Sequence, residues 1–231
     1  MRARRFALLF LGLVGSVLMS ALLYISVEGT LPKTERLTME TRGVIRLPYA
    51  IPNTDLIAQQ ISYYEGPFLE DGTDREVVDI PALHLYNVGS CEILRTCVTV
   101  HISDVAYMFY GEHLPPGETT VLLEKNAKLY KKGDITSCTG WQERGAVPIL
   151  QGVQITEINM GTLSVTNLTE EPLPNLRLHY KSWLSPPGVF MGGITYCAEI
   201  PILLPGQTAH LQPYHYAAGY TKVISVITDQ Q

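Results

Sequence analysis

Short segments of alternating apolar and polar residues fill most of the chain beyond residue 76. They are rich in β-branched and aromatic residues, turn-forming residues separate them, and no long helical period lies between them. Alternation with a period of two is typical of β-strands that bury one face. The pattern therefore predicts an all-β fold, an antiparallel sandwich or barrel. The predicted strands are 77–87, 97–102, 105–111, 120–124, 153–158, 162–167, 176–181 and 222–228.

The β region contains an internal repeat. The stretch LHLYNVGSCEILRTCVTV at 83–100 aligns with LSVTNLTEEPLPNLRLHY at 163–180, and this alignment places Asn87 over Asn167. An Asn at the end of a strand can cap the following turn through its side chain, so the match carries more information than matched apolar residues. We expect two similar modules in tandem. Two unrelated halves with similar patterns are the alternative.

A shared Pro-Gly turn supports the repeat. LPPGETTVLL at 114–123 matches LLPGQTAHLQ at 203–212, at a larger offset than the first alignment. Pro fixes φ and Gly accepts a positive φ, which together make a tight turn before a new strand. The second copy therefore carries extra residues, which we place in SPPGVFMGGITY at 185–196.

The repeated unit resembles small immunoglobulin-like modules of bacterial cell-surface proteins, in particular those of the FxLYD type. The second copy, LSVTNLTEEPLPNLRLHYKSW, is the more similar, although Lys181-Ser182-Trp183 replaces the Tyr-Asp ending of that family. With YYEGPFLEDG at 63–72, the whole chain also resembles uncharacterised membrane-anchored proteins of Gram-positive bacteria. The resemblance implies an immunoglobulin-like fold and a location at the membrane. It implies no activity and no catalytic residues.

An apolar run without a single charge occupies residues 6–25, and three arginines precede it: Arg2, Arg4 and Arg5. Twenty helical residues span about 30 Å, the thickness of the hydrocarbon core of a bilayer. By the positive-inside rule the N-terminus is cytoplasmic. We therefore expect a transmembrane signal-anchor helix at 6–26 in the cell membrane. A cleaved signal peptide is the alternative, and it also places the C-terminal domain outside the cytoplasm.

These assignments divide the chain into five segments: a cytoplasmic tail (1–5), the transmembrane helix (6–26), a stalk (27–60) with a short helix near Asp55–Gln60, β-sandwich module 1 (61–150) and β-sandwich module 2 (151–231). The formal net charge of the chain is −5. The charged side chains before the helix are all basic, so the negative charge lies in the part after it. The exported part is therefore acidic and should be repelled by nucleic acids and anionic lipid surfaces. We expect no nucleic-acid partner.

No residues combine into a recognisable catalytic or cofactor site. The chain has no HExxH, GxSxG or SxxK motif, so we expect no enzyme, no catalytic residues and no cofactor. Its four cysteines all lie in the exported part, where disulfides are permitted. A bridge between Cys91 and Cys97 and free buried thiols are the two open alternatives. We expect no metal, because Cys91 and Cys97 lack a second close pair.

Acidic residues cluster around the sequence EDGTD at 70–74. Calcium binds several carboxylates on a loop that contains Gly, but the alternating ligands of an EF-hand are missing here. A solvated turn is the interpretation we prefer.

The extra loop at 185–196 is the most distinctive candidate for a binding surface. It places large apolar side chains beside a Gly-Gly turn, and loops on a rigid sandwich are common binding sites. The alternative is a hairpin that covers the end of the sandwich. The candidate interaction surface consists of Trp183, Val189, Phe190, Met191, Tyr196 and Tyr216.

The sequence therefore favours a non-catalytic, membrane-anchored extracytoplasmic protein that binds another envelope protein or self-associates. The alternative is a carbohydrate- or peptide-ligand-binding module that uses the aromatic loop of the second sandwich. A flat exposed apolar patch would favour a protein partner, whereas aromatic residues in a groove would favour a ligand.

Overall fold

The computed structural model describes residues 43–73, 75–145, 151–159 and 161–228. The described residues belong to one compact unit, which spans Arg42–Gln231. The expected cytoplasmic tail, the transmembrane helix at 6–26 and the first part of the stalk lie outside the described residues. Among the residues described, no helix is long and apolar enough to cross a membrane.

The described residues form an all-β structure, as the alternating pattern predicts. Apart from one 3-10 helix at Leu69–Asp71, every regular element in this part of the chain is a strand. The strands are β1 (Tyr49–Ala50), β2 (Leu56–Pro67), β3 (Glu76–Asn87), β4 (Glu92–Ile102), β5 (Val105–Leu114), β6 (Thr119–Leu123), β7 (Ile135–Gly145), β8 (Val153–Asn159), β9 (Thr162–Asn167), β10 (Leu173–Leu184), β11 (Val189–Leu203), β12 (Thr208–Leu211) and β13 (Thr221–Ile227).

The β region begins earlier than we expected. Strands β1 and β2 start within residues 27–60, the segment that we interpreted as a stalk, and Asp55–Gln60 leads into β2 instead of forming a short helix. The reason is burial, because Leu56 and Ala58 belong to the hydrophobic core. The apolar residues of this segment show no regular period in the sequence, but β2 pairs with β3 and extends the sheet.

Residues 43–145, here called module 1, pack two sheets around one core. Strands β1, β2, β3 and β6 form one side, and β5, β4 and β7 form the other. Alternate side chains of both sheets meet between them, including Leu83 and Leu85 of β3, Val98 of β4 and Phe109 of β5. Burial of one face of each sheet explains why the period of two is so regular here.

Residues 151–228, here called module 2, have the same strand pairing. Strands β8, β9 and β12 form one side, and β11, β10 and β13 form the other. The second core includes Leu163 and Val165 of β9 together with Leu176 and Leu178 of β10. In both modules the strand sequence pairs first with second, second with fifth, third with fourth and third with sixth, when β2 and β8 are counted as first.

Asn87 fastens the turn at one end of module 1. Its side-chain amide donates to the backbone oxygens of Cys91 (2.9 Å) and Leu114 (3.0 Å), and its side-chain oxygen accepts from the Gly89 N–H (3.0 Å). Its backbone oxygen accepts from Gly117 N–H of the Pro-Gly turn (2.9 Å). One fully buried side chain therefore ties together two turns that lie far apart in sequence.

Asn167 makes the corresponding contacts in module 2. Its amide donates to the backbone oxygens of Glu171 (2.8 Å) and Leu203 (2.9 Å), and its side-chain oxygen accepts from the Thr169 N–H (2.8 Å). Its backbone oxygen accepts from Gly206 N–H (2.9 Å). The two asparagines that the alignment superposes thus occupy equivalent positions and satisfy equivalent backbone groups.

One sheet runs through both modules. The first residues of β11 pair in parallel with β6, with Phe190 opposite Thr120 and Met191 opposite Val121. This pairing joins four strands of module 1 to three strands of module 2 in a single seven-stranded sheet. We call this region, where β6 meets Val189–Met191, the joint. On the module 2 side, the joint consists of residues that have no counterpart in module 1.

Replacement of either asparagine by alanine should destabilise the protein. Asn87→Ala and Asn167→Ala each leave buried backbone groups without a partner, at a cost of about 2–4 kcal/mol in the free energy of unfolding. Urea denaturation measures this loss, with Gln154→Ala on an exposed position of β8 as the control. A near-neutral effect at either asparagine would contradict the structural role given to it.

Candidate functional site

The expected interaction surface around Phe190 is wrong for the apolar residues of the loop. Phe190 is only 4% exposed. Val189 and Met191 pack against a third hydrophobic cluster, which contains Phe68 and Leu123. Phe190 is buried, and Val189 and Met191 are half-buried, because the loop extends the β10–β11 hairpin across module 1.

Trp183 belongs to the same packed region. Its ring centroid lies 4.8 Å from that of Phe190 in an edge-to-face arrangement, and the Lys222 ammonium lies 3.2 Å from the centroid of the Trp183 ring. Such contacts stabilise aromatic side chains beyond the burial of their area. Trp183 therefore supports the extended hairpin.

Tyr196 and Tyr216 lie elsewhere, at the second core. Each ring contacts Tyr180, which stacks on Tyr196 and meets Tyr216 edge to face. The Tyr216 hydroxyl also donates to the Glu157 carboxylate, and burial, followed by this carboxylate, raises the pKa of Tyr216. The six residues of the expected surface thus separate into a group at the joint and a group in the core of module 2.

Lys181 is the most unusual residue at the joint, because its side chain is fully buried. Four residues of β11, between Met191 and Tyr196, lie opposite this one residue of β10 and form a bulge. The ammonium donates to two carbonyl oxygens of this bulge, Gly193 (3.1 Å) and Ile194 (3.0 Å), and to Glu112 O of module 1 (2.8 Å). Oxygens from both modules therefore surround one cation.

Glu70 makes the reciprocal connection from module 1. Its carboxylate accepts from the backbone N–H of Gly193 in module 2 (2.9 Å) and from that of Leu123 in β6 (2.9 Å). Burial raises the pKa of Glu70 to about 7, and burial lowers the pKa of Lys181 to about 8. The expectation of a solvated acidic turn is therefore wrong for Glu70, although Asp71 of the same turn pairs with exposed Arg75.

Gly193 is required where the two modules approach most closely. A Cβ atom at this position would lie 1.8 Å from the backbone oxygen of Tyr110. Backbone cannot move aside as the end of a flexible side chain can, so any larger residue must push the modules apart. The sequence suggests that Gly192-Gly193 forms a turn, but the lack of a side chain at Gly193 is what allows its backbone to contact the backbone of Tyr110.

The outer face of β5, β4 and β7 carries exposed apolar side chains. The register places Tyr110, Cys97 and Trp141 in one row across the three strands, and Met108 follows Tyr110 on the same face of β5. Trp141 is 51% exposed and Met108 is 38% exposed. The next row carries Arg95 between two glutamates. We call this surface, with its charged row, the outer face of module 1.

A polar cleft begins at the charged row, where module 1 meets β10. Its volume is about 330 Å³, and its lining residues are Leu94, Arg95, Glu112, His113, Glu143 and His179. The two imidazole rings lie 5.1 Å apart between centroids. His113 Nδ1 is 3.1 Å from a Glu92 oxygen, and His179 Nδ1 is 2.9 Å from the Ser225 hydroxyl.

His179 contributes an uncharged ring to the cleft. Burial, followed by the neighbouring His113, lowers the pKa of His179, so this ring is neutral at pH 7. Within the described part of the chain, no three His, Cys, Asp or Glu side chains come together in a group that could hold a metal ion.

The cysteines are free in the structure, so the candidate bridge between Cys91 and Cys97 is wrong. Cys91 precedes β4, and Cys97 lies in the middle of it. An extended strand separates residues 92 and 97 by roughly 16 Å, whereas the Cα atoms of a disulfide lie within about 7 Å. Among the free thiols, Cys138 is buried and Cys97 is half-buried, whereas Cys91 and Cys197 are exposed.

Comparisons with known proteins add no family: the chain matches no protein-family model and no curated protein.

Substitution of Gly193 should loosen the joint. Gly193→Ala brings a methyl group against Tyr110 O, and overpacking of this kind costs about 1–3 kcal/mol. Thermal denaturation should show a lower Tm. Gly145→Ala is the control, because its added Cβ meets only the side chain of Leu94, which can move. Equal effects of the two substitutions would contradict the close backbone contact.

Proposed function

We propose that this chain is a non-catalytic, membrane-anchored protein outside the cytoplasm that binds another protein of the cell envelope. In this proposal the apolar run at 6–26 is the anchor, and two immunoglobulin-like sandwiches form the exported part. The outer face of module 1 takes the role that we first gave to the loop around Phe190. The joint explains this change, because it uses that loop to hold the modules together.

The exposed Trp141 is the observation that carries the proposal. It lies on β7, at one edge of the three-stranded sheet, in one row with Cys97 of β4 and Tyr110 of β5. A large ring that stays half exposed in water gains free energy when a partner covers it. Flat apolar patches of this kind favour a protein partner over a small ligand.

The composition of the face agrees with the anatomy of protein interfaces. Trp, Tyr and Arg are the residues that most often dominate binding energy, and all three occur here in adjacent rows. Arg95 lies opposite Glu112 on β5 and opposite Glu143 on β7, which gives a charged rim beside the apolar row. Charged rims contribute orientation and rate of association more than affinity.

A second candidate function is binding of a carbohydrate or peptide ligand, and the cleft favours it. The Nδ1 atoms of His113 and His179 both have hydrogen-bond partners, which leaves the Nε2 atoms for a ligand. Planar polar side chains that line a pocket of about 330 Å³ can bind hydroxyl or amide groups. In that case a segment of the partner would insert into the cleft beside the outer face of module 1.

Truncation of Trp141 tests the proposal in intact membranes. Proteins crosslinked to the full-length chain are isolated, identified and quantified for wild type, Trp141→Ala and Tyr220→Ala. Tyr220 is the matched control, because it is an exposed aromatic residue of module 2. Loss of a central aromatic contact costs about 2 kcal/mol or more, so Trp141→Ala should reduce recovery of the specific partner at least about ten-fold.

The Tm of Trp141→Ala should stay close to that of wild type, since the side chain is half exposed. Unchanged recovery with Trp141→Ala would contradict the proposed surface, and so would equal losses in both variants. Recovery that falls only when His179 is also replaced would favour the cleft as the main site.

A further inference from the structure

Glu70 and Lys181 cross the joint in opposite directions. Glu70 belongs to module 1 and binds the backbone of module 2 at Gly193. Lys181 belongs to module 2 and binds the backbone of module 1 at Glu112. Lys181 is therefore fully buried, and Glu70 half-buried, only while the two modules are docked, because separation of the modules would return both to water.

Few other charges face this pair. Glu112 of β5 and Glu92 of β4 act on Lys181 together with Glu70, and from β11 Lys181 meets only carbonyls and the Thr195 hydroxyl. Glu70 faces Lys181 and Glu112, besides the two backbone N–H groups that it accepts from. The charge of the enclosed site thus depends mainly on the protons held by Glu70 and Lys181.

We propose that Glu70 and Lys181 form a proton-controlled latch between the modules, which holds the joint most firmly when Glu70 carries a proton. The geometric reason is the enclosure of both groups at a contact that a separated pair of modules would lack. Removal of an ionised carboxylate from water is costly, and protonation of Glu70 removes this cost.

The direction of the pH effect follows from linkage. In an open joint Glu70 is in water and titrates near its ordinary pKa of 4.5, whereas in the docked joint its pKa is about 7. The docked form therefore binds the proton more strongly between these values, and docking weakens as the pH rises from 4.5 to 7. Lys181 has a lowered pKa of about 8 instead of 10.5, so docking strengthens again above pH 8. The joint is weakest near neutral pH.

The latch reaches the candidate binding cleft through Glu112. The carbonyl of Glu112 accepts from Lys181, while its side chain lines the cleft next to His113. A change in docking therefore moves one wall of the cleft relative to His179 on the other module. Proton uptake at the joint would stabilise the closed form of the cleft.

Hydrogen exchange of the full-length chain tests the latch. Protection factors, corrected for the intrinsic rate at each pH, are measured at about pH 5 and about pH 7.5 for β6 and for the start of β11. Opening of the joint should be at least about five-fold more frequent at the higher pH. Glu70→Gln should remove this difference, whereas Glu65→Gln, an exposed carboxylate of β2, should keep it.

Lys181→Met provides a second readout. The ammonium lowers the pKa of Glu70, so its removal should shift the midpoint of the pH profile upward. A midpoint that does not move would show that the two groups do not act together. A pH profile that persists in Glu70→Gln, or one that is equal in β3 and β4, would overturn the latch.

Discussion

The buried ammonium of Lys181 is the interaction on which the arrangement of the two modules depends. It is surrounded by carbonyl oxygens from β11 and from Glu112, so the cation fills a space that the bulge of β11 would otherwise leave lined with unpaired acceptors. Buried backbone acceptors without a donor cost free energy comparable to a lost hydrogen bond. One side chain satisfies acceptors of both modules, and Glu70 lies close enough to interact with its charge. The close contact at Gly193 completes this geometry.

The repeated unit gives each module its own core. The residues by which the second copy differs from the first dock the two modules against each other. Each module has its own core and its own buried asparagine, so neither needs the other to close its sandwich. The extra residues of module 2 extend β11 until it pairs with β6, which covers an edge strand that would otherwise expose unpaired backbone groups. The consequence for function is that Phe190 of this extension is buried inside the molecule, whereas Trp141 of module 1 remains exposed.

The sequence predicts the all-β class, eight of the thirteen strands in the described part of the chain and the equivalent asparagines, because these depend on local rules: alternation along a strand and capping of a turn. It does not predict the joint. The sequence suggests that Phe190 is exposed on a loop and that Lys181, as a charged residue, faces solvent. Both side chains are buried instead, because pairing between β11 and β6 places the loop and Lys181 against module 1. Trp141 is missed because the alternating pattern does not predict a strand at 135–145, and only the register with Cys97 shows that the side chain lies on the outer face.

The two tryptophans of the chain allow a direct test of the claim that the joint makes the modules one structural unit, because Trp141 lies in module 1 and Trp183 in module 2. Urea unfolding of full-length Trp141→Phe and Trp183→Phe, followed by fluorescence, reports on one module at a time. The account predicts transitions with the same midpoint and the same slope in the two variants, because the docked modules unfold together. Two separate transitions, with the module 2 signal changing at a urea concentration at which module 1 stays folded, would contradict it.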